Sequence, residues 1–204
     1  MAPRARIGVF GGSFDPVHCG HVLLARAARE ELGLSRVLLL PCAASADGKE
    51  LAPAALRLRW LKRALKGEPG LEACDLEIRR GGVSRTVDTL EALQAGLDPG
   101  EGLVLLLGAD QAARIATWKR PRRLAELAEL AVFGRPGRSA FRAEGFEFLR
   151  VPAPLFGFSS TGVRERLAAG LSVRLWVPPE VEADPTLRRH YGPKTGRRRS
   201  VSKN

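Results

Sequence analysis

The chain has 204 residues, which is enough for one domain with a complete hydrophobic core. Hydrophobic residues make up 45% and charged residues 27% of the sequence, as in soluble globular proteins. No apolar run reaches the roughly 18 residues of a membrane-spanning helix and the start lacks a signal-peptide pattern, so nothing in the sequence suggests a membrane or exported protein. The three cysteines are scattered and fit reduced thiols, so we expect a cytoplasmic protein.

The formal net charge of +11 is concentrated near the C-terminal end. Residues 185–204 hold seven arginines and lysines and no acid, which leaves a mildly basic body suited to anionic nucleotides. Residues 192–204 lack an apolar pattern, so we predict a single domain over 1–191 and a disordered basic tail. Solvation of this tail is favoured over contact with nucleic acid.

Short apolar segments alternate with helical patterns along the chain. Continuous apolar runs predict strands buried on both faces at 6–10, 37–40, 103–107 and 130–133. Less continuous strand candidates are 71–78 and 146–151, and helical patterns cover 21–32, 54–66, 86–94 and 121–127. The alternation predicts an α/β protein with a doubly wound, Rossmann-like parallel sheet.

A glycine turn follows the first predicted strand and leads into two histidines. Glycine lets backbone N–H groups approach a phosphate closely, and the next helix start adds free N–H donors and partial positive charge. His18 and His21 are three residues apart, so both imidazoles can reach one bound anion. The pattern predicts a polyphosphate site that comprises the two histidines and the turn Gly11, Gly12, Ser13 and Phe14.

Two other interpretations of the histidine pair stay open. Together with Cys19 it could bind zinc, which needs three or four ligands. The remaining histidine, His190, lies in the basic C-terminal segment, so we expect no metal held by protein ligands alone. Alternatively, the histidines have no chemical role at this helix start, which is less common for the whole constellation than for one histidine.

A second helix start carries hydroxyl groups and an arginine. Ser159 or Ser160 can cap the helical pattern that follows, with Glu165 expected in its first turn. A capping serine alone is usually structural, but Thr161 adds a third hydroxyl and Arg164 adds a cation one turn later. Together these residues predict a second anion-binding site.

These motifs resemble those of a known enzyme family. The segment His18-Cys19-Gly20-His21 is similar to the HxGH signature of the nucleotidylyltransferase superfamily, and residues 159–164 resemble its second triphosphate motif. Three inner segments resemble bacterial nicotinate-nucleotide adenylyltransferases: 84–90, 108–110 with Trp118, and 135–137. The resemblance extends from about residue 7 to residue 191, with five motifs in the family's order. The ending at 177–191 looks like the family's C-terminal helix, which implies a small C-terminal helical region beside the sheet.

The resemblance implies adenylyl transfer from ATP to nicotinate mononucleotide, giving deamido-NAD and pyrophosphate as a step of NAD biosynthesis. Mg²⁺ would enter with ATP, bound by its phosphates. The resemblance assigns catalysis to His18, His21 and Arg164. It assigns ATP binding to Gly11, Gly12, Ser13, Phe14, Lys49, Ser159, Ser160 and Thr161. It assigns mononucleotide binding to Arg85, Thr86, Asp110, Trp118, Lys119 and Arg135, with Asp110 on a sugar hydroxyl and Trp118 stacked on the pyridine ring.

Two departures from the family pattern concern binding residues. The family's Pro-Pro-His-Lys segment is replaced after Pro41, where Lys49 is left to act as the phosphate-binding lysine. The usual Ser-Tyr-Thr reads Ser-Arg-Thr at 84–86, and Lys119 stands where tyrosine is frequent. Cations at Arg85 and Lys119 favour the carboxylate of nicotinate over the neutral amide of nicotinamide.

Two alternative functions remain open on the sequence alone. The same reaction could use nicotinamide mononucleotide as its acceptor. The chain could also be a catalytically silent nucleotide-binding regulator, although it keeps both histidines, the serines and Arg164.

Overall fold

A computed structural model of the protein describes residues 5–134, 143–153 and 157–193. Its strands are β1 (Arg6–Gly12), β2 (Arg36–Pro41), β3 (Leu71–Ala73), β4 (Gly102–Leu107), β5 (Ala128–Gly134) and β6 (Leu149–Pro152). They form one parallel sheet in the order β3-β2-β1-β4-β5-β6. The direction of the chain across the sheet reverses between β1 and β4, where such sheets bind ligands.

Helices pack on both faces of this sheet and extend beyond it. They are α1 (Cys19–Glu31), α2 (Ala54–Ala64), α3 (Leu76–Arg80), α4 (Thr86–Gln94), α5 (Ala109–Ala112), a 3₁₀ turn (Ile115–Thr117), α6 (Pro121–Leu127), α7 (Ser160–Ala168), α8 (Pro179–Glu182) and α9 (Pro185–Tyr191). Trp60 belongs to the hydrophobic core on one face and Leu90 to the core on the other. The predicted doubly wound fold is confirmed. No helix in the described ranges is long and apolar enough to cross a membrane.

Two predicted strands differ from the structure at their ends. The candidate 71–78 pairs with β2 only over Leu71–Ala73, and the chain then turns into α3. Alternation of apolar and polar residues continues past Ala73, so the pattern could not show where the ladder ends. The candidate 146–151 starts late, at Leu149, because the Phe146 N–H bonds to the Ala143 carbonyl in a turn.

The predicted place of Glu165 in the first turn of its helix is also wrong. Because α7 starts at Ser160, capped by Ser159, Glu165 lies in the second turn. The first turn of α7 therefore contains no carboxylate to repel an anion.

The C-terminal helices are fastened to α2 by a buried carboxylate. Asp184 is fully buried and accepts hydrogen bonds from Arg59 Nε at 2.7 Å and from the Thr186 N–H at 3.0 Å. Burial alone would raise the pKa of Asp184, but hydrogen bonds from Arg59 and Thr186 outweigh it and lower the pKa to about 2. Trp60 Nε1 also donates to Thr186 Oγ1 at 2.9 Å. These contacts fix the C-terminal helices on α2.

Two parts of the sequence predictions lie outside the described residues. They are Arg135 and the part of the predicted tail at 194–204.

Candidate active site

The predicted strand 6–10 extends as β1 through Gly11 and Gly12, where the sequence predicts a turn. A Cβ at Gly11 would meet no described atom within 4 Å, whereas a Cβ at Gly12 would lie 3.2 Å from the Phe14 ring. Phe14 is fully buried, with its ring edge-on to His21 at 4.9 Å between centroids. Gly11, Gly12 and Ser13 can therefore offer backbone groups to a ligand, while the Phe14 side chain supports the turn.

His18 and His21 form a stacked pair at the start of α1. Their ring centroids are 3.7 Å apart, and the His18 backbone N–H donates to His21 Nδ1 at 3.2 Å. Burial lowers the pKa of His18 to about 4. Burial and the adjacent His18 lower the pKa of His21 well below its usual value, so both rings are neutral at neutral pH. Among the described residues, the buried Nδ1 of His18 has no hydrogen-bond partner, which is unusual away from functional sites.

The second helix start is organised as the sequence predicts. Ser159 caps α7, since its hydroxyl accepts a hydrogen bond from the Gly162 N–H at 3.0 Å. Thr161 is exposed, and its Oγ1 lies 3.2 Å from Arg164 Nη2. The hydroxyls and the guanidinium therefore occupy one end of α7.

This helix start docks on the loop that follows β1. Ser160 Oγ donates to the Pro16 carbonyl at 2.9 Å, and Arg164 Nη1 donates to the Asp15 carbonyl at 2.7 Å. Two segments separated by more than a hundred residues in the sequence thus meet beside the histidine pair. The structure brings both predicted anion-binding helix starts into one region.

A buried arginine, which sequence reasoning missed, connects the loops around the site. Arg57 in α2 is 1% exposed, and its guanidinium donates only to main-chain carbonyls among oxygen acceptors in the described residues. The distances are 2.8 Å to Ser13 and Ala52, 2.7 Å to Cys42 and 3.2 Å to Ala43. Arg57 thereby ties the turn after β1 to the loop after β2.

The sequence does contain a signal for Arg57. Its buried neighbours in α2 are Trp60, Leu61 and Ala64, at spacings of three, four and seven residues. A charged residue within such an apolar helical stripe needs buried partners, because an unpaired buried charge is costly.

A cleft of about 590 Å³ opens beside β1 and β4. Gly11, Gly12, Ser13, Phe14 and His21 line one part of it. The predicted mononucleotide residues Arg85, Thr86, Asp110, Trp118 and Lys119 line another part. The residues of α7 do not line this cleft in the described structure and are joined to it through the loop at 15–16.

Lys49 lies on an exposed part of the cleft lining. Its side chain is 71% exposed, and its Nζ is 4.0 Å from Asp47 Oδ2. The same carboxylate oxygen is 3.7 Å from Arg114 Nη2, so an ion-pair group links the loop after β2 to the segment after α5. Lys49 is therefore near the cleft but shares an acid with Arg114.

The mononucleotide end of the cleft is built on α4 and on the segment after α5. Thr86 is the first residue of α4, and Ser84 Oγ accepts a hydrogen bond from the Ala43 N–H at 3.0 Å. The two predicted cations differ in their surroundings. Lys119 Nζ contacts Asp88 at 2.9 and 3.1 Å, whereas exposed Arg85 makes no ion pair within the described residues.

Glu77 is a further cleft residue that sequence reasoning missed. It is 6% exposed, lines the cleft and accepts a hydrogen bond from Thr89 Oγ1 at 2.7 Å. Its position depends on α3, the helix that replaces the second half of a predicted strand.

The arrangement can bind an extended anion but lacks a closed metal cage. In the described ranges, no three His, Cys, Asp or Glu side chains are grouped as a metal site requires. The groups beside the glycine turn are neutral imidazoles, hydroxyls, backbone N–H groups and Arg164, which suit phosphate oxygens.

This fold and site define a nucleotidyltransferase of the cytidylyltransferase-like class, whose sequence profile matches residues 9–166. Proteins described as "Probable nicotinate-nucleotide adenylyltransferase" are similar over most of their length. The one from Thermomicrobium roseum is 39% identical, covering 87% of both chains, and the one from Thermus thermophilus is 42% identical, covering 87% of this chain and 94% of the relative. The chain belongs to the nicotinate-nucleotide adenylyltransferase family.

Solved structures confirm the fold. Plasmodium falciparum nicotinic acid mononucleotide adenylyltransferase complexed with NaAD matches with a TM-score of 0.69 and 19% identity, covering 87% of this chain and 93% of that one. The same protein complexed with APC matches with a TM-score of 0.68 and 17% identity, covering 87% and 92% of the two chains.

Proposed function

We propose that this protein transfers the adenylyl group of ATP to nicotinate mononucleotide, producing deamido-NAD and pyrophosphate for NAD biosynthesis. The main support is the contact between the start of α7 and the loop that leads to α1, through Ser160 with Pro16 and Arg164 with Asp15. This contact supports a single phosphate-binding region beside a cleft that is also lined by Trp118 and the start of α4.

In the proposed reaction, a 5′-phosphate oxygen of the mononucleotide forms a bond to the α-phosphorus of ATP. The bond from that phosphorus to the bridging oxygen breaks, and pyrophosphate leaves with the electron pair. The attacking phosphate is already anionic, so the reaction needs no general base. Catalysis then consists of alignment and of stabilising charge on the phosphate oxygens.

The donors that we assign to this charge are the histidine pair, the glycine turn and α7. Because Nδ1 of His21 accepts a hydrogen bond, a neutral His21 carries its proton on Nε2, where it can donate to a phosphate oxygen. The backbone of Gly11 and Gly12 and the hydroxyls of Ser159 and Thr161 supply further donors. Arg164 supplies a permanent positive charge.

We assign Mg²⁺ as the divalent ion that accompanies ATP. The donor set fits an ion carried by the phosphates, because Mg²⁺ keeps several waters and takes few protein ligands in phosphate sites. The described residues offer no cluster of three acidic, histidine or cysteine ligands that would hold it without nucleotide. When bound, the ion supplies additional neutralisation of the triphosphate charge.

We further propose that residues 1–191 contain the whole catalytic unit. In its support, α9 ends at Tyr191 and makes the last described side-chain contact with the site. Removing residues 192–204 is expected to leave adenylyl transfer and the melting temperature unchanged.

The test of the function is pyrophosphate release from ATP and Mg²⁺ with each mononucleotide. We expect release with nicotinate mononucleotide at a higher kcat/KM than with nicotinamide mononucleotide. Faster release with nicotinamide mononucleotide would establish the alternative acceptor. Binding of ATP without pyrophosphate from either acceptor would establish a silent nucleotide-binding regulator.

A further inference from the structure

The C-terminal helix reaches the loop between the glycine turn and the histidine pair. Tyr191, the last residue of α9, donates its hydroxyl to Asp15 Oδ1 at 2.5 Å. The two residues are 176 positions apart in the sequence. The contact joins a segment outside the sheet to the centre of the proposed triphosphate site.

Asp15 is held on one side by neutral donors and faces a cation on the other. Its side chain is nearly fully buried, and Oδ1 also accepts a hydrogen bond from the Ala52 N–H at 3.0 Å. Oδ2 lies 3.8 Å from Arg164 Nη1, whereas the same Nη1 is 2.7 Å from the Asp15 carbonyl. The guanidinium is therefore positioned by the Asp15 backbone, and with the Asp15 carboxylate it makes only a long ion pair, outside hydrogen-bond distance.

Tyr191 is suited to hold this carboxylate in place at every working pH. Burial and the adjacent Asp15 carboxylate raise the pKa of Tyr191 far above its usual value, so the phenol remains a hydrogen-bond donor. Without the hydroxyl, Oδ1 would keep only the Ala52 donor, and the carboxylate could turn toward Arg164. A close ion pair would then compensate the charge that a triphosphate needs.

We propose that Tyr191 is a positioning residue for ATP binding, which acts by keeping the Asp15 carboxylate from closing its long ion pair with Arg164 to hydrogen-bond distance. The inference rests on the proposed role of Arg164 in binding ATP phosphates. It makes the C-terminal helix a part of the nucleotide site through the contact of Tyr191 with Asp15.

The experiment is calorimetric titration of ATP with Mg²⁺ into the full-length Tyr191→Phe variant in the absence of any mononucleotide. The variant loses the hydrogen bond from Tyr191 to Asp15, so the carboxylate can pair more closely with Arg164. ATP should therefore bind about three- to tenfold more weakly than to wild type. KM for ATP should rise by the same factor, while kcat and KM for the mononucleotide change less than twofold. Failure of wild type to release pyrophosphate would refute the enzyme function without affecting this titration.

A double-mutant cycle shows whether Tyr191 acts through Arg164. In an Arg164→Met background, adding Tyr191→Phe should cause no further loss of ATP affinity. An equal loss in both backgrounds, or wild-type affinity in Tyr191→Phe alone, would overturn the proposal.

Thr186→Val is the matched control for loosening of the C-terminal helix. Thr186 lies in α9 but outside the phosphate site. The substitution removes the hydrogen bond that its hydroxyl accepts from Trp60 Nε1 and the one that it donates to Asp184 Oδ1. We expect a lower melting temperature with unchanged ATP affinity. If this variant weakened ATP binding as much as Tyr191→Phe, general loosening would explain both results and the proposal would fail.

Discussion

The His18 backbone N–H donates to Nδ1 of His21 across 3.2 Å, so His18, the N-cap residue of α1, also orients the imidazole of His21. This bond requires an unprotonated Nδ1, which leaves Nε2 as the N–H of the neutral ring. Stacking at 3.7 Å places the His18 ring beside it, and two adjacent protonated rings would repel each other. A neutral pair is therefore the resting state of these two histidines.

Replacing His21 by alanine should remove most turnover without unfolding the protein. Loss of one preorganised donor to transition-state charge typically lowers the rate by about 10²–10³. The lost bond to the His18 N–H should cost only about 1 kcal/mol of stability. Steady-state pyrophosphate release and thermal unfolding measure the two effects.

His190→Ala is the control for that experiment, because His190 is exposed and packs against Trp60 and Tyr191 outside the histidine pair. Its turnover should match wild type. Near-normal turnover in folded His21→Ala would show that the histidine at the helix start is structural.

Stability should fall as the pH drops from about 6.5 to about 4. The unfolded histidine titrates near 6.5, whereas burial lowers the pKa of folded His18 to about 4. Between these values the unfolded state binds the extra proton, so the stability present above pH 6.5 is lost on acidification, by up to about 3 kcal/mol from His18. Burial, with His18 nearby, lowers the pKa of His21 and adds in the same direction.

Urea unfolding at several pH values tests this dependence. Asp184, whose folded pKa is lowered to about 2, also loses stabilisation at the acid end of the window, where the unfolded carboxyl begins to bind a proton, so the comparison is made between two proteins that share this carboxyl. His18→Asn should show a slope between pH 4 and 6.5 that is smaller by about 1.4 kcal/mol per pH unit. Equal slopes for wild type and His18→Asn would contradict the assignment of a neutral buried ring.

The sequence predicts the central sheet well, because parallel strands buried on both faces give continuous apolar runs such as 103–107. It fails for 71–78, since strand pairing ends where Cys74 makes its last bond to Leu39, and no local pattern marks that point. The helix start at Ser159 was predictable because capping depends on neighbouring residues in the sequence.

Contacts between distant segments account for what the sequence could not predict in the site. The bond between Tyr191 and Asp15 spans almost the whole chain, and neither residue has a local partner that indicates it. Lys119 has the positive charge expected near the pyridine ring, but only the packing of its segment beside α4 shows that Asp88 contacts it. Local sequence patterns thus predict which side chains could bind an anion. The fold determines which of these charged groups are already paired with another side chain.

Removing the Arg57 guanidinium should affect both stability and ATP binding. In Arg57→Met, the carbonyls of Ser13, Ala52 and Cys42 lose a buried donor, which should cost about 3 kcal/mol or more. Because the turn after β1 loses the hydrogen bond from Arg57 to the Ser13 carbonyl, KM for ATP should also rise. Chemical unfolding and steady-state kinetics measure the two effects.

Arg79→Ala is the matched control for Arg57, since Arg79 forms an exposed helical ion pair with Asp75 at 2.8 Å. It should change stability by less than about 0.5 kcal/mol and leave KM for ATP unaltered. An Arg57→Met protein with the wild-type KM for ATP would show that Arg57 contributes to stability alone.

Discrimination between the two mononucleotides should depend on Arg85 more than on Lys119. Lys119 Nζ is already bonded to Asp88, whereas Arg85 lines the cleft without an ion pair among the described residues. A free guanidinium can form charge-assisted hydrogen bonds with the carboxylate of nicotinate that the amide of nicotinamide cannot match. Arg85→Ala should therefore reduce the ratio of the two kcat/KM values by about three- to tenfold.

Lys119→Ala is the matched control for Arg85. It should change the ratio less than twofold, because Arg120 remains 3.2 Å from Asp88 and still compensates its charge. Two results would show that Arg85 does not select the acceptor. One is an equal effect of Arg85→Ala and Lys119→Ala on the ratio, and the other is equal kcat/KM values for the two mononucleotides in the wild-type protein.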